Sequence, residues 1–220
     1  MFKECYLTRE GIAETAEKWL KEFRRNKSFD SAGSALLIMD MQDYFLDPDS
    51  PAFIPAAPAI LPGISALAGL FRSLELPVFF TRHLNTPENA EMMGKWWKRL
   101  IEAQDPFSEI CREFRKYKRG SIIKTQYDAF YRTNLEQRLK KKGIRKLVIC
   151  GVMTHLCCET TARSAFCRGY EVWFPVDCTA TYNRKFHEST LCNLSHGFAN
   201  LTSSGELAAD LSERDAHETP

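Results

Sequence analysis

The sequence predicts an α/β fold in which a parallel sheet is covered on both faces by helices, a three-layer α/β/α arrangement. Two observations carry that prediction. Short, continuously apolar runs alternate with stretches of helical periodicity, and uninterrupted apolar strands belong to sheets buried on both faces. The chain can also bury such a sheet: 44% of its 220 residues are hydrophobic and 26% are charged, the balance of a soluble domain of moderate size. The expected organisation is an N-terminal helix within residues 1–30, one domain over 31–211 and a polar, frayed tail over 212–220.

The elements follow in order. Ile12, Ala13, Ala16, Trp19, Leu20 and Phe23 fall at helical spacing and predict an amphipathic helix over 8–25. After a short Ser/Gly stretch, Ala35-Leu-Leu-Ile-Met-Asp40 reads as a buried strand ending in an acid. A helical pattern over 63–76 leads through Pro77 into a second strand, Val78-Phe-Phe-Thr81. A third, Ser121-Ile-Ile-Lys124, again ends in a charge. A helix over 133–142, stopped by Gly143, precedes the fourth strand, Lys146 to Gly151. A helix over 159–168 precedes the fifth, Glu171 to Val176, and a helix around 188–194 precedes a sixth, weak run from Gly197 to Leu201.

Bulk properties exclude several function classes. The formal net charge is +2, so no strong field favours nucleic acid or an anionic membrane. The basic stretch from Arg112 to Arg119 reads as a solvated helix face or loop. No run approaches the ~18 consecutive apolar residues of a membrane span. The first ten residues carry charges where a signal peptide needs an apolar core, so a cytoplasmic location is expected. The eight cysteines (Cys5, Cys111, Cys150, Cys157, Cys158, Cys167, Cys178 and Cys192) then stay reduced, and they show no Cys-x-x-Cys or zinc-finger spacing.

In a parallel sheet, ligands bind at the carboxyl ends of the strands near a topological switch point. Asp40, His83, Lys124 and the segment after Gly151 all fall at such ends. In Gly151-Val-Met-Thr-His-Leu-Cys157 a strand ends and a helix begins near the cysteine. A thiol in a first helical turn faces unpaired N–H groups and the positive end of the helix dipole, which favour the thiolate and lower the pKa expected for Cys157. The same N–H groups offer a place for an oxyanion. Asp40 and Lys124 read either as an ion pair closing the sheet end or, with Cys157 at the same edge, as parts of one site.

At these residues the sequence resembles the isochorismatase-like cysteine hydrolases, which include nicotinamidases and N-carbamoylsarcosine amidohydrolases. The resemblance rests on Asp40-Met-Gln-Asp-Tyr-Phe45, Lys124-Thr-Gln-Tyr-Asp-Ala-Phe130 and the Gly151…Thr154…Cys157…Thr161-Ala162 motif, and it covers roughly residues 33–208. It implies a six-stranded parallel sheet, with Asp40 as general base, Lys124 as the stabilising cation and Cys157 as nucleophile. It further implies a cis peptide at Val152-Met153, an oxyanion hole from the backbone N–H groups of Met153 and Cys157, and a homo-oligomer.

Departures from the family pattern narrow the chemistry. Members that hydrolyse a vinyl ether lack this cysteine, so Cys157 points to acyl transfer. Nicotinamidases carry a metal-binding Asp-x-His and a second His after the first strand, whereas residues 46–82 contain no histidine; no metal or other cofactor is expected. His83 reads either as a substrate contact or as a capped loop histidine. Trp96 and Trp97 read either as pocket walls, with Phe45 and Tyr127, or as packing residues. The expected activity is hydrolysis of a C–N bond in a small amide, carbamoyl compound or ureide through a cysteine acyl-enzyme. The alternatives are ether hydrolysis through Asp40 without covalent catalysis, and a non-catalytic thiol-bearing binding or sensor protein.

Overall fold

The structure, a computed structural model, describes residues 2–23 and 27–218. Its elements are α1 (Ile12–Phe23), β1 (Ser34–Met39), α2 (Asp43–Leu46), α3 (Ala57–Ser73), β2 (Val78–His83), α4 (Met92–Trp96), β3 (Ile122–Lys124) and α5 (Leu135–Lys141). They continue with β4 (Lys146–Val152), α6 (Glu159–Cys167), β5 (Glu171–Pro175), β6 (Thr179–Ala180), α7 (Arg184–Gly197), β7 (Asn200–Thr202) and α8 (Ser204–Glu218). Residues 24–25 of the expected first helix and residues 219–220 of the expected tail lie outside the described residues.

All the strand pairings are parallel, in the order β3-β2-β1-β4-β5-β7, with β6 also paired to β4. The sheet therefore has seven strands, one more than expected. β5 pairs with the first half of β4, then turns away through Val176–Cys178, and β6 returns to pair with Gly151 and Val152. Two residues are too few to leave a periodic signal. Every residue of β1 is buried, as a central strand covered on both faces requires.

Helix boundaries shift for local reasons. α3 starts at Ala57 with a proline in its first turn, and Pro62 lies inside it; the second proline made the helix read as starting later. α7 starts at Arg184, where the side chain of Asn183 accepts the Phe186 N–H at 3.0 Å. That helix runs on through Gly197, so the last strand is confined to Asn200–Thr202. α8 continues to Glu218, well into the segment expected as a tail.

The chain leaves β1 toward β2 and β3 on one side and resumes at β4 on the other. The switch point thus lies between β1 and β4, at their carboxyl ends. Gly151 lets these strands meet there. Its φ is +111°, and a Cβ would collide with the Met39 carbonyl, so only glycine fits.

Candidate active site

Asp40 follows β1 directly, in a left-handed conformation (φ 49°) that a non-glycine residue holds only under constraint. The constraint comes from β2. The Asp40 N–H donates to Thr81 Oγ1 at 3.1 Å, and the Thr81 hydroxyl donates to Asp40 Oδ1 at 2.6 Å. The second carboxylate oxygen faces Lys124 Nζ at 2.8 Å, and both side chains are fully buried. Two buried charges persist because each neutralises the other.

Lys124, the last residue of β3, is central to the site. Its Nζ lies 3.2 Å from Cys157 Sγ, 3.2 Å from His83 Nδ1 and 3.0 Å from the Gln126 carbonyl, besides Asp40. Its three N–H bonds match these three hydrogen-bond acceptors, and Asp40 adds an ion pair. Burial works against its charge, but Asp40 and Cys157 outweigh that cost and raise its pKa. The lysine stays protonated.

Cys157 lies in the π-helical turn Thr154–Cys158 that precedes α6, rather than in the first turn of an ordinary α-helix. The peptide between Val152 and Met153 is cis. The expectation of a lowered thiol pKa is overturned. Burial pushes the thiol up to about 12; Lys124 pulls it down, the adjacent Asp40 opposes Lys124, and burial prevails. At neutral pH the resting site pairs a thiol with an ion pair. Cys150 and Cys158 are also fully buried, and burial raises both.

His83, at the end of β2, is held by Gln42, whose Oε1 accepts the His83 N–H at 2.7 Å and whose Nε2 donates to the His83 and Ser108 carbonyls. Burial and then the Lys124 charge lower the His83 pKa to about 4. The ring is therefore neutral, with Nδ1 accepting from Lys124 and Nε2–H donating to Asn85 Oδ1 at 2.7 Å. His83 is thus a buried partner of the lysine, not a capped loop residue.

A cavity of about 100 Å³ opens over Cys157, well below the ~300 Å³ at which drug-sized ligand sites begin. Phe45, His83, Trp97, Tyr127, Met153 and Cys157 all line it. Trp97 Nε1 donates to Tyr127 Oη at 2.8 Å, fixing two walls together. Trp96 faces solvent and is 74% exposed. Sequence reasoning missed Thr81, Asn85, Tyr44, Met93, Leu156 and Tyr182. Thr81 was detectable as a hydroxyl ending an apolar strand; Tyr182 sits in a loop with no periodic or motif signal.

Among the described residues, one cluster has donors spaced as in a metal site: Asp40, His83 and Cys157, with ligand atoms within 4.8 Å of one another. The Lys124 ammonium contacts all three. The cluster does not fit a resident metal, because its central position is already held by a fixed positive charge.

The isochorismatase domain model matches residues 34–206. The chain belongs to the isochorismatase family. This family member is 38% identical over 192 residues to nicotinamidase 3 of Arabidopsis thaliana, covering 85% of this chain and 93% of that one. Its fold is similar to that of a cysteine hydrolase from Pseudomonas syringae pv. phaseolicola, with a TM-score of 0.77, 20% identity and coverage of 86% and 97%. It is also similar to N-carbamoylsarcosine amidase of Thermoplasma acidophilum, with a TM-score of 0.67, 25% identity and coverage of 78% and 96%. This isochorismatase-family hydrolase has no helix, among the described residues, long and apolar enough to cross a membrane.

Proposed function

We propose that this chain hydrolyses the C–N bond of a small, flat amide, carbamoyl compound or ureide through a Cys157 thioester. The observation that carries the reading is the buried Lys124 ammonium bridging Asp40 at 2.8 Å and Cys157 at 3.2 Å, with Cys157 itself lining a small cavity. Its aromatic lining, with Tyr44, Phe45, Trp97, Tyr127 and Tyr182, suits a planar, uncharged acyl group. Similarity to a nicotinamidase and to an amidase supports C–N cleavage.

Because the resting sulfur is a thiol, the first step requires a base. Asp40 takes the thiol proton as Sγ attacks the carbonyl carbon, and Lys124 stabilises the sulfur as its charge develops. The backbone N–H groups of Met153 and Cys157 hold the oxyanion. Collapse breaks the C–N bond, and the proton on Asp40 leaves with the amine or ammonia. Asp40 then takes a proton from water, whose oxygen attacks the thioester. The acid departs and the thiol regains its proton.

Intact mass after brief exposure to a panel of small amides, carbamoyl compounds and ureides tests the reading. An adduct of acyl mass on Cys157, accompanied by amine release, is expected. Product release with no adduct under rapid quench, and unaltered turnover in Cys157→Ala, would overturn it.

A further inference from the structure

The segment before α1 lies outside the matched family domain, which begins at Ser34, yet it reaches the turn that carries Cys157. Tyr6 is buried, and its hydroxyl accepts the Thr181 N–H at 3.0 Å and lies 3.1 Å from His187 Nδ1. Thr154 Oγ1 lies 3.1 Å from the same nitrogen. His187 is fully buried, and burial keeps it neutral, so Nδ1, with its single lone pair, can accept one hydroxyl proton while the second hydroxyl packs at the same distance. Trp19 of α1 covers the imidazole at 4.4 Å between ring centres. Three polar groups from three distant parts of the chain therefore meet at the first residue of the π-helical turn.

The same segment touches the cavity walls. The Glu4 N–H donates to the Tyr182 carbonyl at 2.8 Å, and Lys3 Nζ sits 4.6 Å from the Tyr182 ring centre while donating to the Pro51 carbonyl at 3.1 Å. Tyr182 and Ala52, the neighbour of Pro51, both line the cavity.

We propose that residues 2–6 form a strap over the site and that Tyr6 is a positioning residue for the nucleophile, acting through His187 and Thr154. Thr154 starts the turn, and the Met153 carbonyl accepts the Leu156 and Cys158 N–H groups on either side of Cys157. Anchoring Thr154 therefore sets where the sulfur sits relative to Asp40 and Lys124. A displacement of about 1 Å in such a group costs up to ~10²-fold in rate, so one hydroxyl well away from the sulfur carries leverage over turnover. The role assigned to the sulfur rests on the hydrolase reading above, but the position of the turn does not.

The test uses the full chain with Tyr6→Phe, which keeps the ring and removes only the hydroxyl, and with Thr154→Val, alone and combined. The primary readout is the iodoacetamide rate at each cysteine by peptide mapping, which needs no substrate. Tyr6→Phe is expected to change the Cys157 rate while leaving Cys150, Cys158 and Cys178 protected, and to add nothing further in the Thr154→Val background. With an amide that is turned over, kcat should fall roughly tenfold or more with KM within about twofold, the pattern of lost positioning rather than lost binding. A merely structural role predicts a lower Tm with all buried cysteines labelled alike, or no change at Cys157; either result overturns the proposal. An altered Cys157 rate in a protein that turns over no amide would leave the strap standing and remove only the amidase reading.

Discussion

The Lys124 ammonium lies 3.2 Å from the Cys157 sulfur in a site that buries both side chains. Proximity to a cation ordinarily favours a thiolate, yet here the thiol is pushed up to about 12, because burial dominates and Asp40, at 2.8 Å from the same ammonium, already compensates its charge. On the proposed mechanism, Lys124 therefore counts for less as a thiolate stabiliser at rest than during attack, when the thiol proton would cancel the Asp40 charge.

If Asp40, Lys124 and Cys157 act as the unit proposed above, their losses should not add. Cys157→Ala should abolish the covalent step with little change in substrate affinity, and Asp40→Asn should cost about 10²–10⁴-fold as a lost general base. Lys124→Ala should lose turnover and also destabilise the fold by about 3–5 kcal/mol, since it strands a buried carboxylate. Steady-state kinetics on the single mutants and the Asp40/Cys157 double mutant, with denaturant unfolding of each, check this. A fully active Cys157→Ala protein would count against covalent catalysis.

Alkylation of Cys157 in the free protein should keep rising with pH well past neutrality. The thiol is raised, so the thiolate fraction is small at pH 7 and increases toward about 12. Iodoacetamide rates measured at several pH values with peptide mapping would show this as a log-linear limb. A plateau below pH 7 would mean that the thiolate is the resting form.

Acid should destabilise the fold through two buried histidines, His83 and His187, and the partly buried His155. Burial lowers His83 and His155 to about 4 and His187 to about 3, against ~6.5 for an unfolded histidine. The unfolded chain thus binds more protons below that value, so this contribution to stability is complete above about pH 6.5 and is lost as pH falls toward 4 for His83 and His155 and toward 3 for His187. Melting temperatures across that window should decline, and His187→Gln should flatten part of the slope.

Trp97→Ala should widen the cavity and release Tyr127 from its 2.8 Å hydrogen bond. We expect KM for the best small substrate to rise roughly tenfold, since losing a large buried contact costs a few kcal/mol at most after relaxation. Bulkier amides should become substrates. A substrate panel compared by kcat/KM checks both effects, and an unchanged profile would move recognition elsewhere.

Chelation should leave turnover intact. The groups spaced as in a metal site already face the Lys124 ammonium, Asp40 by an ion pair and His83 and Cys157 by hydrogen bonds, and an ion would have to displace a buried ammonium. Activity after exhaustive dialysis against a chelator, alongside elemental analysis, decides the matter; one required metal per chain would contradict it.

Much of this protein is legible in its sequence. The short, continuously apolar strands, their helical spacers and the charges at their ends determine the layers, the strand polarity and the edge at which Asp40, Lys124 and Cys157 gather. These are local signals, since a buried parallel strand must be apolar and a charge at its end needs a reason. What only the tertiary structure decided depends on distant partners. The two-residue β6 exists because β5 bends away from β4, and His83 is neutral because burial and Lys124 act on it together. The charge state of Cys157 reverses the local expectation for the same reason: helix position acts on a thiol through neighbouring N–H groups, whereas burial is set by the whole fold. Tyr6 carries no motif; its link through His187 to the turn that carries Cys157 arises only when the chain closes over a separation of 181 residues.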